Sequence, residues 1–145
     1  MGKKKLFVLA AVILVTGVAV EVFLSVKDIG LGPQCQGVAC VGLDAKELRC
    51  DSRVETLVGE VIRGTTVELR YSPSCNASWT KAIVPIGTVL YVEDAQGRQF
   101  GEYEVKNDGI LTAHYGNMGA GKALKGCAKL PNSDRLCTSF PRTTN

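Results

Sequence analysis

Histidine is nearly absent: one occurs in 145 residues, at His114. That excludes most multi-histidine metal sites and leaves a single imidazole for any general acid–base step. Tryptophan is also single, at Trp79. No Cys-x-x-Cys spacing occurs, so zinc-ribbon and thioredoxin-type readings lose support. No Gly-x-Ser-x-Gly turn is present to expose a serine nucleophile. An excess of one charge is missing too. The net charge of +3 comes from Lys3, Lys4 and Lys5, and the other 14 basic residues balance 14 acidic ones. Without a clustered basic face no nucleic-acid partner is expected. Gly116-x4-Gly121-Lys122 approaches a phosphate-binding loop but continues with Ala123, where that loop needs Ser or Thr to hold magnesium.

Against these absences stands one long apolar run. Of the 21 residues from Leu6 to Val26, 17 are apolar, and three lysines precede them. A basic start before an apolar stretch is the pattern of an export signal. Residues 1–26 are expected to form an apolar helix acting as a signal peptide, with cleavage after Ala19. Retention as a membrane anchor is the alternative, since about 20 apolar residues span a bilayer. Either way the rest of the chain is expected outside the cytoplasm, touching a membrane only through this segment.

Residues 27–34 contain Gly30, Gly32 and Pro33 and read as a linker. Residues 35–140 read as one β domain and 141–145 as a polar tail. Within the domain, 53–62 is β-branched, Arg63-Gly64 is a turn, and 65–71 alternates Val67, Leu69, Tyr71 against Thr66, Glu68, Arg70. Period-two alternation marks a half-buried strand. Further strands are expected at 78–84, 88–93, 98–105 and 110–115, the last pair joined through Asp108-Gly109. Residues 116–126, rich in glycine, read as a loop. The expected fold is all-β: a small sandwich or barrel of about six antiparallel strands.

Six cysteines, Cys35, Cys40, Cys50, Cys75, Cys127 and Cys137, in a small exported domain imply disulfides rather than a metal site. A turn at Arg63-Gly64 brings Cys50 opposite a residue near 77, within bridging reach of Cys75. Cys127 and Cys137 flank Pro131-Asn132 and are expected to pair locally, which leaves Cys35 with Cys40. Closing the loop from Cys50 to Cys75 is worth roughly 3 kcal/mol in the chain-entropy account.

The order Cys35-x4-Cys40, Cys50, Glu68-Leu69-Arg70-Tyr71-Ser72-x2-Cys75-x3-Trp79, then two late cysteines, resembles the bacterial domain of unknown function 2690. The likeness runs from Cys35 to about Thr138. Lys81 stands where an arginine is expected in that family. The resemblance implies an extracytoplasmic, disulfide-containing domain and carries no activity with it.

Two candidate sites remain. Arg70, Tyr71, Trp79 and Lys81 form a candidate binding patch, with Trp79 expected beside Tyr71 and largely buried. His114 with the Glu102/Glu104 pair is the only acid–base equipment in view. The reading is a non-catalytic binding or interaction domain of the cell envelope, partnered by an envelope polymer or protein and needing no cofactor or metal. The alternative is a small secreted enzyme or effector acting on envelope polymer. A pocket converging on His114, Glu102 and Glu104 would favour it.

Overall fold

The alternating segment closes on itself first. β1 (Glu55–Ile62) and β2 (Thr65–Ser72) pair antiparallel about Arg63-Gly64. Both turn residues have positive φ, 50° and 80°, the backbone a two-residue hairpin turn needs to match strand twist. Coordinates from a computed structural model describe residues 32–106 and 112–142. The expected helix and signal or anchor at 1–26, residues 27–31 of the linker, the turn at 107–109 and residues 143–145 of the tail lie outside them. The described residues belong to one compact unit, Pro33–Asn145, apart from Gly32.

β3 (Ala77–Ala82) joins the other edge of β2. Its far side is shared by two short strands, β6 (His114–Tyr115) and β7 (Gly119–Ala120). A second sheet holds β4 (Val89–Glu93), β5 (Gln99–Glu104), β8 (Lys125–Lys129) and β9 (Arg135–Cys137), in the order β5-β4-β8-β9. Every pairing is antiparallel. The fold is therefore all-β as expected. The two sheets are separate, so it is an open sandwich and not a barrel.

The described residues hold nine strands rather than six. Residues 116–126, read as loop, contain β7 and enter β8. At two of its glycines the missing side chain answers crowding. A Cβ on Gly119 would lie 2.5 Å from Val92 Cγ2, and one on Gly126 3.1 Å from Thr80 Oγ1. The residues from Cys127 to Cys137 form the β8–β9 hairpin, with the two cysteines directly opposed.

Between the sheets lie Val67, Leu69, Ala82, Leu90, Val92, Ala128 and Leu136. They are the inward half of each alternating strand. A hydroxyl crosses this interface. Thr80 Oγ1 donates to the Tyr91 carbonyl at 2.5 Å and accepts from the Cys127 N–H at 3.0 Å. The outer face of the first sheet is covered in turn. A short 3-10 helix, Gly37–Cys40, and the irregular chain after it lay Cys40, Ala45, Cys50 and partly buried Leu48 and Val54 over Ala77, Trp79 and Met118.

Candidate functional site

Register decides which side of the sheet each patch residue occupies. Arg70 is the cross-strand partner of Trp79, and Glu68 of Lys81, so these four share the outer face. Tyr71 partners Ser78 and faces the other way. The expected Trp79–Tyr71 neighbourhood is therefore corrected: one strand position separates the aromatics onto opposite faces. Tyr71 is buried, donates its hydroxyl to Asn76 Oδ1 at 3.0 Å, and takes Lys122 Nζ over its ring at 4.7 Å.

Trp79 is 3% exposed. It lies beneath the stapled segment, and beside it a cleft of about 420 Å³ opens between that segment and the sheet. Asp44, Ala45, Lys46, Asp51 and Val54 form one wall; Arg70, Trp79, Tyr115 and Gly116 form the other. Tyr115 partners Lys81 across β3–β6 and so stands on the outer face at the rim, 49% exposed. Asp44 is fixed by its own turn, where Oδ1 accepts the N–H groups of Lys46 and Glu47 at 2.8 and 2.9 Å. Cys40 and Cys50, on either side of this wall, are bonded to Cys35 and Cys75.

The two patch cations are not free. Glu68 lies between them, accepting from Arg70 Nη1 at 3.0 Å and from Lys81 Nζ at 3.0 and 3.2 Å. Burial alone would raise the Glu68 pKa. Hydrogen bonds from Lys81 and Arg70, and their charges, hold it below the ordinary glutamate value. Arg70 Nη1 also donates to Thr56 Oγ1 at 2.5 Å. The guanidinium is thus held by the sheet while it lines the cleft.

His114, Glu102 and Glu104 do not line this cleft. His114 pairs with Ala82 in β6, and both glutamates are exposed along β5. Within Gly116-x4-Gly121-Lys122, Gly119 and Ala120 form strand and pair with Ser78 and Ala77. Asp44, Asp51 and Tyr115 went unremarked in the sequence. The available signal was Asp44 two and three residues before Lys46 and Glu47, a self-capping turn.

The disulfides are Cys35–Cys40, Cys50–Cys75 and Cys127–Cys137, and no described cysteine is free. These are the pairs the spacing predicts. The first two lie together: the Sγ atoms of Cys35, Cys40, Cys50 and Cys75 are all within 4.8 Å of one another.

A family model described as "Protein of unknown function (DUF2690)" matches residues 38–121, more than half of the 145-residue chain. The chain belongs to the DUF2690 family. No curated protein and no solved structure matches it. The DUF2690 match takes in every residue lining the cleft, from Asp44 to Gly116, and the Cys50–Cys75 bond. β8 and β9, with Cys127–Cys137, lie beyond it.

Proposed function

We propose that the chain is a non-catalytic binding module of the extracytoplasmic cell envelope, and that its cleft seats a segment of envelope polymer. The observation that carries this is the cleft wall. An exposed tyrosine, a held arginine fork, a lysine and two carboxylates converge over a tryptophan floor. Such a set gives and accepts hydrogen bonds within one groove and offers an aromatic face, which suits a polymer of hydroxyl and amide groups. Support for the compartment comes from the lysine-led apolar leader and from three disulfides, which persist in oxidising surroundings. The leader is the export signal or the tether.

Binding of the full chain to isolated envelope fractions tests the reading. Tyr115→Ala and Asp51→Asn change exposed rim groups and should leave the unfolding midpoint in place. Each is expected to weaken binding about tenfold, or 1.4 kcal/mol. Unchanged binding in both variants would show that the cleft is not the binding surface.

A further inference from the structure

We infer that Cys35, Cys40, Cys50 and Cys75, when reduced, form a tetrahedral thiolate site for one zinc ion. The inference does not rest on the binding role of the cleft. It starts from proximity. The two disulfides touch, with Cys35 Sγ 3.7 Å from Cys50 Sγ, and all four sulfurs fit within 4.8 Å. A zinc ion with Zn–S bonds of about 2.3 Å holds its four sulfurs about 3.8 Å apart. The non-bonded contact already has that spacing. The Cα atoms of the bonded pairs are 5.2 and 5.6 Å apart, so side-chain rotation is enough to part the sulfurs.

Surroundings and spacing agree. Cys40, Cys50 and Cys75 are fully buried, against Ala45, Ala77, Trp79 and Met118. Such a pocket closes four ligands around a metal and admits no water, as in structural zinc sites. Cys35 is partly exposed and gives the way in. Cys35-x4-Cys40 falls at the upper end of the usual two-to-four spacing for a first zinc pair. Three ligands come from the segment over the sheet and Cys75 from the β2–β3 connection. The ion would therefore fasten the same two parts that the Cys50–Cys75 bond fastens now.

The two states exclude each other, and their chemistry balances. Each disulfide accepts an electron pair from one phosphine. A water molecule supplies two protons, and the phosphine leaves as its oxide. The four thiols formed then release four protons as zinc binds, leaving a site of net charge −2. Two equivalents of a disulfide oxidant reverse the sequence: the thiolates lose electron pairs to re-form two bonds, and zinc is expelled.

The test titrates zinc, and cobalt as its coloured probe, into the phosphine-reduced full chain and into the oxidised chain. A Cys127→Ser/Cys137→Ser variant keeps the remote pair from contributing ligands. One metal per reduced chain is expected, with the thiolate charge-transfer and tetrahedral bands of cobalt, and none in the oxidised chain. Cys50→Ser should weaken uptake more than tenfold. Where reduction unfolds the chain, zinc should restore its native circular dichroism, because such binding is coupled to folding. Absence of one-to-one uptake, uptake indifferent to Cys50→Ser, equal uptake by the oxidised chain, or failure of zinc to refold an unfolded reduced chain would each overturn the site.

Discussion

Trp79 has its indole packed beneath the cysteine-rich segment, 3% exposed. Trp79→Ala is expected to cost about 3–5 kcal/mol, a large share of the 5–15 kcal/mol typical of a domain. Urea unfolding measures it; a change below about 1 kcal/mol would mean that this second core is not formed. The sequence showed that Trp79 would be buried but not by what, because the covering chain has no periodicity to read. Thr80 carries a different kind of load. Its buried hydroxyl satisfies one carbonyl and one N–H of the opposite sheet. Thr80→Val keeps the shape and removes the hydroxyl from both, so a loss of about 0.5–1.5 kcal/mol is expected in the same assay. Nothing in the 77–82 alternation marks Thr80 as special. Its role depends on Gly126, 46 positions away, having no Cβ to block the approach.

Strands carry the acid sensitivity. On the first sheet Glu68 is held between Arg70 and Lys81. On the second, Glu93 meets Lys125 at 2.9 Å and Arg135 at 2.5 Å. For Glu93, as for Glu68, burial pushes the pKa up, and the hydrogen bonds and charges of its partners bring it below the usual value. A carboxylate whose pKa is lowered by folding stabilises the fold above its unfolded pKa, about 4.3 for glutamate. That contribution disappears as pH falls through the folded value. Urea midpoints should hold from neutral pH to about 5 and then decline, and Glu68→Gln should be less stable at neutral pH with a shallower acid decline. An acid decline as steep in Glu68→Gln as in the parent chain would count against this role. At this scale the hairpin of β1 and β2 was legible, since alternation and a two-residue turn are both local. β6 lies at the end of the strand expected at 110–115. β7 was not legible: it is two residues long and exists because β3 has an edge to fill and glycines let the chain approach it. The cleft was hidden for the same reason: its walls come from residues 44–54 and 70–116, and their meeting is a product of topology.

For the whole molecule the export reading makes the plainest expectation. The mass of the mature protein should lack the first 19 residues if the signal is cut after Ala19; an intact N-terminus in the membrane fraction indicates an anchor. A soluble full-length chain in the cytoplasm would contradict both. The bonds Cys35–Cys40 and Cys50–Cys75 also have a mechanical meaning. Tension applied from the N-terminal side enters at Cys35, crosses to Cys40, follows the cleft wall to Cys50 and crosses again to Cys75. β1 and β2 lie inside that loop and bear none of it. A separation of 25 residues corresponds to ~80–90 Å of extended chain at 3.3–3.6 Å per residue, length that pulling cannot draw out while the sulfur bond holds. The load passes instead along one wall of the cleft and then to β3, which carries Trp79 of the other. Under strain the groove is thus part of the cable, and the longest hairpin hangs slack beside it.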